Sequence, residues 1–160
     1  MAVRTGIGYD VHRLEPGHPL WLGGVNIPFE EGLAGHSDGD VLVHALVDAL
    51  LGAAGLGDMG TYFPSSDPQY RGVSSLLFLR HAATLLKQRG WRVVNLDATI
   101  VAERPRLAPF SDNMREVIAE SMSLSQEQVN IKSKTSDGLG FTGRGEGIAA
   151  YAIATIEGEG

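Results

Sequence analysis

The sequence of 160 residues contains no cysteine. Disulfide bonds and metal sites built from thiolates are therefore excluded, so a zinc ion would have to be held by histidine and carboxylate side chains. No apolar stretch approaches the roughly 18 residues that a membrane-spanning helix needs, and no apolar run follows a basic start near the N-terminus. We therefore expect a cytoplasmic protein with no membrane partner.

Basic residues are also few. Lys and Arg total 13 against 19 Asp and Glu, which gives a net charge of −6, and no basic run occurs. This balance argues against a nucleic-acid partner. An anionic substrate would need metal ions or locally placed Lys and Arg to offset the repulsion. The chain also lacks internal repeats and linkers, so we predict a single domain over residues 1–160.

The chain is organised around the stretch from residue 35 to residue 52, whose second half is predicted to be a helix. This helix is apolar on nearly every side, as is typical of a helix inside a domain. Asp40, His44 and Asp48 recur every fourth residue and therefore form one polar stripe along it. We predict that Ser37 caps this helix with Asp40 at its third position, which would fix the direction of the stripe.

A second polar pair lies upstream, in a stretch from residue 6 to residue 12 that alternates with period two. Asp10 and His12 share one face of this predicted strand. Together with His44 they form the kind of three-ligand set that catalytic zinc uses, with a fourth position open for water or substrate. Asp48, one turn from His44, is placed to orient a histidine ring. The alternative for His44 is a hydrogen-bonded core histidine.

The rest of the chain alternates between short strands and amphipathic helices. Gly23 and Gly24, between apolar segments at 20–22 and 25–27, are typical of a hairpin with a tight turn. The last apolar segment fits either a helix or a strand, and we predict a strand that belongs to a sheet covered by helices. The predicted elements after residue 73 are a helix at 74–89, a strand at 91–102, a helix starting at 111, a cap formed by Ser125 with Gln128, and strands at 129–134 and 148–156.

The glycines at 138, 140 and 143 match the G-x-G-x-x-G pattern of dinucleotide-binding proteins. That pattern should open a helix and precede a second strand with an acidic residue about 20 positions on, yet only 17 residues follow Gly143. We interpret the stretch instead as a cradle for phosphate, made of backbone N–H groups, hydroxyls and cations. It is bordered by Lys132, Lys134, Thr135, Ser136, Asp137 and Arg144.

Four segments together resemble one enzyme family. They are Gly-Tyr-Asp-Val-His at 8–12, Gly-His-Ser-Asp-Gly-Asp-Val at 35–41, His-Ala-Leu-Val-Asp-Ala-Leu-Leu-Gly-Ala at 44–53 and Leu-Gly-Phe-Thr-Gly-Arg-Gly-Glu-Gly-Ile-Ala at 139–149. Their order and spacing are similar to those of the 2-C-methyl-D-erythritol 2,4-cyclodiphosphate synthases, enzymes of the non-mevalonate route to isoprenoid precursors. The similarity covers essentially the whole chain.

The resemblance implies an α/β (α+β) fold in which helices pack on one side of a four-stranded mixed sheet. It also implies a homotrimer with active sites between neighbouring subunits. An apolar central cavity, closed near Arg144 and Glu146, would take an isoprenoid diphosphate.

The resemblance implies the reaction as well. The substrate would be 4-diphosphocytidyl-2-C-methyl-D-erythritol 2-phosphate, whose 2-phosphate attacks the β-phosphate, so that a cyclic diphosphate closes and CMP leaves. Zinc, or another divalent transition metal, would be held by Asp10, His12 and His44. Magnesium or manganese would be held by Asp137, directly or through a water.

By the same resemblance, the catalytic residues that stabilise the transition state would be His36 and Thr135. The residues that would form the methylerythritol and phosphate pocket are Ser37, Asp58, Gly60, Phe63, Pro64, Ser65, Ser66 and Asp67. Those that would receive the cytidine and its phosphates are Ala102, Glu103, Arg104, Pro105, Arg106, Leu107, Ala108 and Lys134. The other predicted substrate-binding residues are Asp10, Val11, His12, His36, Met59, Thr135, Ser136, Asp137, Phe141 and Arg144.

Two other classes of function stay open at this point. A zinc-dependent phosphohydrolase would use the same metal with water as the nucleophile. A non-catalytic trimer would bind a nucleotide or an isoprenoid diphosphate without turnover.

Overall fold

The computed structural model describes residues 2–158. The strands are β1 (Val3–Pro16), β2 (Leu20–Leu22), β3 (Val25–Ile27), β4 (Glu31–Leu33), β5 (Trp91–Val101), β6 (Val129–Lys134) and β7 (Gly147–Gly158). The α-helices are α1 (Val41–Ala53), α2 (Met59–Tyr62), α3 (Leu76–Gln88), α4 (Ser111–Met122) and α5 (Gly140–Gly143). None of the helices within residues 2–158 combines the length and apolar character needed to cross a membrane.

The main sheet is built around its first and last strands. Its order is β4-β1-β7-β5-β6, and all neighbours are antiparallel except β5 and β6, which are parallel. β1 and β7 pair along eleven residues. The prediction of a strand at 148–156 is confirmed, because alternate alanines enter the core while Tyr151 and Ile153 face away from it.

The main sheet has five strands, so the prediction of four was wrong in this detail. The additional strand is β4, which pairs antiparallel with Leu14–Pro16 at the end of β1. No sequence pattern indicates this strand, because three residues around a glycine carry no alternation. The strand needs Gly32, since a Cβ atom there would lie 2.1 Å from the carbonyl oxygen of His18.

The smaller predicted features also occur. β2 and β3 form the hairpin, with Gly23 and Gly24 at φ angles of 60° and 75°. A type I′ turn requires positive φ at both central positions, which glycine adopts without strain. The reciprocal cap of Ser125 and Gln128 is present just before β6.

The helices pack on one face of the main sheet, as predicted, with α1 against β1 and β7. In the single chain the other face of these two strands is uncovered. Its apolar side chains are between 39% and 70% exposed. We call them the open sheet face, which consists of Ile7, Tyr9, Val11, Tyr151 and Ile153.

The backbones of β1 and α1 are in close contact because two residues of β1 have no side chain. A Cβ atom on Gly8 would lie 1.8 Å from the carbonyl oxygen of Ala45, and one on Gly6 would lie 2.2 Å from that of Ala49. Both glycines belong to the face of β1 that looks toward the helix. This contact therefore fixes which residues of α1 meet the polar side chains on the same face of the strand.

Asp40, and not the predicted Ser37, is the N-cap of α1. Its carboxylate accepts a hydrogen bond from the N–H of Val43 at 3.1 Å. It also accepts from the N–H groups of Gly23 at 3.0 Å and Gly24 at 2.8 Å, which ties the hairpin to the helix. The residue is fully buried, and this burial raises its pKa to about 6.

Candidate metal centre and active site

Three side chains meet where β1 crosses the first turn of α1. Asp10 Oδ2 lies 2.9 Å from His12 Nε2 and 3.0 Å from His44 Nδ1. The two ring nitrogens are 3.1 Å apart. Asp10 and His12 share the helix-facing side of β1, and His44 reaches them from α1. The structure thus brings together the three residues that sequence spacing singled out.

The hydrogen bonds around these residues suit a divalent cation. Nδ1 of His12 lies 2.8 Å from the carbonyl oxygen of Ala34, which can only accept, so Nδ1 carries the proton. In the neutral ring, Nε2 of His12 therefore presents a lone pair toward Asp10 and His44. Two imidazoles and a carboxylate whose ligand atoms all lie within 4.8 Å of one another are a donor set of the kind that zinc and related metals take.

The electrostatics of the cluster favour a charged carboxylate. Burial disfavours the ionised form of Asp10, but hydrogen bonds and charges from His12 and His44 outweigh it and lower its pKa to about 2. Burial likewise opposes the charged form of His12, yet the contact with Asp10 raises the pKa of its ring. The carboxylate is therefore ionised at neutral pH and attracts positive charge.

The cluster opens into a cavity of about 320 Å³, which we call the metal cavity. Its lining includes His36 and Ser37 from the loop before α1 and several residues from the segment that follows α1. The complete lining is Asp10, His12, His36, Ser37, His44, Asp48, Asp58, Met59, Gly60, Phe63, Ser65, Tyr70 and Phe78. Val11, Pro64, Ser66 and Asp67, which the resemblance also implied, do not line it.

Hydrogen bonds hold the loops of the metal cavity in place. His36 donates from Nε2 to the carbonyl oxygen of Asp67 at 2.8 Å, and its own carbonyl accepts from the N–H of Gly72 at the same distance. Asp58 caps the short helix α2 by accepting from Thr61 N at 3.1 Å. The ring of His36 and the carboxylate of Asp58 are thereby fixed at the edge of the cavity.

Asp48 makes a different contact from the one predicted. Its carboxylate accepts from the N–H of Met59 at 2.7 Å and so holds the start of α2, while burial raises its pKa. The free ring nitrogen of His44 instead faces Ser75, whose Oγ lies 2.7 Å from Nε2, and Ser37, whose Oγ lies at 3.1 Å. Ser75 is 31 residues away in sequence, so spacing gave no signal for it.

An aromatic wall lies behind the cluster, and of its residues Phe63 was predicted to contact the substrate whereas Tyr70 and Phe78 were not predicted. The rings of Phe63 and Phe78 are 4.6 Å apart, and Tyr70 stands edge-on to Phe78 at 5.5 Å. Phe78 in turn lies 6.1 Å from the ring of His44. This packing gives the cavity an apolar side next to its polar cluster.

Most of the remaining predicted residues line a second cavity of about 600 Å³, which we call the loop cavity, whereas Ser136, Asp137 and Phe141 do not line it. Its lining is Phe29, Ala102, Glu103, Arg104, Pro105, Arg106, Leu107, Ala108, Ser133, Lys134 and Thr135. It shares no lining residue with the metal cavity within the part of the chain that the structure describes. Arg144 lies instead along a third, smaller cavity, beside Glu103 and Arg104.

The segment after β6 is tied to the loop cavity by a carboxylate. Glu103 accepts from the N–H groups of Ser136 and Gly138, each at 3.2 Å. Asp137 between them has a φ of 53°, a left-handed conformation that few side chains adopt, and its carboxylate is exposed. The glycine-rich stretch forms the short helix α5 within this turn, so no dinucleotide-binding helix follows it.

The α+β fold carries an Asp-His-His cluster that is a candidate site for a divalent metal, beside an apolar wall and apart from a loop with Arg104 and Arg106. Residues 3–157 match the model of the YgbB family, and the chain belongs to this family.

Individual relatives agree with the resemblance found in the motifs. The chain is 56% identical to the 2-C-methyl-D-erythritol 2,4-cyclodiphosphate synthase of Syntrophomonas wolfei subsp. wolfei, across 97% of this chain and 99% of that protein. Its fold matches IspF of Plasmodium falciparum, solved as a CDP complex, with a TM-score of 0.87, 31% identity and coverage of 99% and 98%. It matches the bifunctional IspDF from Campylobacter jejuni with a TM-score of 0.95 and 39% identity, across 98% of this chain and 42% of that one.

Proposed function

We propose that the protein converts 4-diphosphocytidyl-2-C-methyl-D-erythritol 2-phosphate into 2-C-methyl-D-erythritol 2,4-cyclodiphosphate and CMP, as a lyase of isoprenoid precursor biosynthesis. The observation that carries the proposal is the cluster of Asp10, His12 and His44 at the metal cavity. It occurs in a chain that matches a synthase over nearly its whole length.

In the proposed reaction an oxygen of the 2-phosphate forms a bond to the β-phosphorus of the same molecule. The bond between that phosphorus and the oxygen bridging to the α-phosphate breaks, and its electron pair leaves with CMP. Because the attacking and attacked groups are both anionic and belong to one molecule, catalysis depends on orientation and on neutralising charge.

We assign the first metal to the carboxylate of Asp10 and the rings of His12 and His44. A divalent transition ion there, proposed to be zinc, would polarise the β-phosphate and offset its negative charge. His36 and Ser37 border the same cavity and would hydrogen-bond to the phosphate oxygens. The half-buried position of these side chains limits the water around the phosphate.

The loop cavity is proposed to receive the cytidine end of the substrate. Arg104, Arg106 and Lys134 supply cations there for the diphosphate, and Thr135 adds a hydroxyl. The exposed carboxylate of Asp137 is proposed to bind magnesium or manganese together with the phosphates, directly or through a water. The same groups would hold CMP as it leaves.

We further propose that the active enzyme is a homotrimer with active sites between subunits. A substrate that must reach both cavities needs them to be adjacent, and a neighbouring copy that brings its loop cavity against the metal cavity satisfies this. The open sheet face provides the apolar surface for such association. The Arg144 to Glu146 ion pair, at 2.5 Å, would then lie near a central cavity proposed for an isoprenoid diphosphate.

The cytoplasmic location and the single domain over residues 1–160 remain part of this proposal. The family match over residues 3–157 supports the second of these.

Phosphorus NMR of the purified protein with the proposed substrate tests the function. We expect a cyclic diphosphate and an equimolar amount of CMP to form only when zinc and magnesium are present, and a chelator to abolish both. Release of inorganic phosphate would instead identify a phosphohydrolase. An unchanged spectrum from protein with verified metal content would identify a binding protein without turnover.

A further inference from the structure

Ser75 is a buried polar residue that the proposed reaction does not use. Its side chain is 0% exposed and lies directly before α3. The hydroxyl contacts Nε2 of His44 at 2.7 Å on one side and the carboxylate of Asp38 at very short range on the other. Such a hydroxyl connects a carboxylate to the ring of a metal-cluster histidine.

The direction of these hydrogen bonds follows from the chemistry of the partners. Asp38 also accepts from the N–H of Ser75 at 2.9 Å and from the N–H of Asp40 at 3.0 Å, so donors surround it. An ionised carboxylate only accepts, and the hydroxyl of Ser75 must therefore donate its proton to Asp38. The oxygen of Ser75 then has only lone pairs to offer His44.

The ring of His44 must therefore donate a hydrogen bond to this oxygen. If Ser75 accepts, Nε2 of His44 carries the proton, and in the neutral ring Nδ1 keeps its lone pair. Nδ1 is the atom that lies 3.0 Å from Asp10 and 3.1 Å from Nε2 of His12. The two outer residues thus point the lone pair of His44 into the cluster, whereas Asp10 alone would favour a proton on Nδ1.

We infer that Asp38 and Ser75 are positioning residues that hold His44 in the Nε2–H tautomer and so prepare Nδ1 to bind the metal. The inference rests on the metal centre of the proposed function. Neither residue lines the metal cavity, so they act through His44 and not on the substrate.

Ser37 does not replace Ser75 in this arrangement. Its hydroxyl is farther from Nε2 of His44, at 3.1 Å, and is only half-buried at the edge of the metal cavity. The hydroxyl of Ser37 also lies 3.4 Å from that of Ser75, and no carboxylate within residues 2–158 accepts its proton. It can therefore donate to Nε2 as readily as accept from it.

Two measurements on Ser75→Ala test the inference. The first is the dissociation constant of zinc by chelator competition, which we expect to rise about 10- to 100-fold, as is usual when the partner of a ligating histidine is lost. The second is the tautomer of His44 in metal-free protein at alkaline pH, from nitrogen–proton correlation spectra of the rings. We expect Nε2–H in the unaltered protein and Nδ1–H in the variant.

Two further variants make the test specific. Ser74→Ala is the matched control, because Ser74 is exposed, precedes the same helix, and its hydroxyl bonds only to the N–H of Leu76, at 3.3 Å, among the described residues. Asp38→Asn keeps the shape of the side chain but places an NH₂ group against one of the three donors from which Asp38 accepts. Zinc binding should therefore weaken by less than in Ser75→Ala. It also serves if Ser75→Ala does not fold.

The outcomes decide between the claims. Zinc affinity within about twofold of the unaltered protein, or an Nδ1–H ring already present in that protein, overturns the inference. Weaker zinc binding with an unchanged tautomer of His44 also overturns the inference, because the role of Ser75 would then be structural only. If the unaltered protein binds no zinc, the proposed function fails, while the tautomer comparison still decides the role of Asp38 and Ser75.

Discussion

The metal cavity and the loop cavity are built in opposite ways. The metal cluster sits on β1 and α1, whose backbones touch at Gly8, and His44 is only 6% exposed. Around the loop cavity, Arg106, Thr135 and Asp137 are all exposed and lie outside helices and strands. The side chains of the metal cluster are held in place by the packed core, whereas the cations and hydroxyls around the loop cavity are open to a partner or a substrate.

Because of this difference, substitutions at the two cavities should have different effects. A change at the metal cavity alters packing, so it should affect the free energy of unfolding as well as the chemistry. A change at an exposed residue of the loop cavity should affect binding alone, because surface substitutions seldom change stability by more than about 0.5 kcal/mol.

The largest effect is expected from His44→Ala. Removing one of three ligands should eliminate bound zinc and lower turnover by about a thousandfold or more, since the charge on the β-phosphate would no longer be offset. Metal analysis and phosphorus NMR on the same sample measure both. His18→Ala, at an exposed histidine whose ring lies 3.2 Å from Glu15, is the control. An active variant without metal would contradict the assignment.

Next in size is Gly8→Ala, which tests whether the contact of strand and helix orders the metal cavity. A methyl group would lie 1.8 Å from the carbonyl oxygen of Ala45, so the helix must move, and we expect unfolding free energy to fall by about 3 kcal/mol. Urea unfolding and zinc affinity should both decrease. The matched control is Gly52→Ala in α1, where the nearest atom would be 4.0 Å away and a gain of about 0.5 kcal/mol is expected.

A smaller, pH-dependent effect is expected at Asp40. Its pKa is about 6 in the folded chain against 3.8 as the ordinary value, so between these values the folded state binds more protons than the unfolded state. Stability from this group is therefore full below pH 3.8 and declines as the pH rises through 6, by up to about 3 kcal/mol.

Unfolding of the metal-free protein at pH 4 to 7, compared with that of Asp40→Asn, isolates the contribution of this carboxylate. The variant cannot titrate there, so the difference in unfolding free energy should change in favour of the variant as the pH rises. A constant difference would show that the carboxylate is ionised throughout, held by the three N–H donors around it.

The smallest effect is expected on the exposed side of the comparison, from Asp137→Asn. Turnover should need about tenfold more magnesium, because the charged ligand of a hydrated ion is lost, while zinc content and urea unfolding stay unchanged, since Asn tolerates the φ of 53° at this position. A magnesium titration of turnover measures this. Unchanged magnesium dependence would remove the role proposed for Asp137, and loss of stability would contradict the contrast between the two cavities.

The sequence pattern within a few residues was sufficient to predict much of the fold. The paired glycines at 23 and 24 specify their turn, and the alternation around Tyr151 specifies a strand, because both signals lie within a few residues. β4 escaped detection because its strand character comes from pairing with the end of β1 and not from its own three residues. The sequence thus predicts elements whose cause is local.

The same dependence on local pattern explains which residues of the site could be predicted. Asp10, His12 and His44 were identified because period two and period four place them on the faces of single elements. The cap of α1 was assigned to Ser37 because the sequence does not show that the hairpin 16 residues earlier brings two N–H groups to Asp40. The partner of His44 was assigned to Asp48 for the same reason, since Ser75 approaches from another helix.

The pairing of β1 with β7 also determines when, during folding of a newly made chain, the metal site can form. β1 lies between β4 and β7, and β7 ends the described chain. Until β7 has left the ribosome, residues 3–13 of β1 lack the strand that pairs with them, because β4 pairs only with Leu14–Pro16. We therefore expect the metal to be acquired only after β7 has been synthesised and has paired with β1.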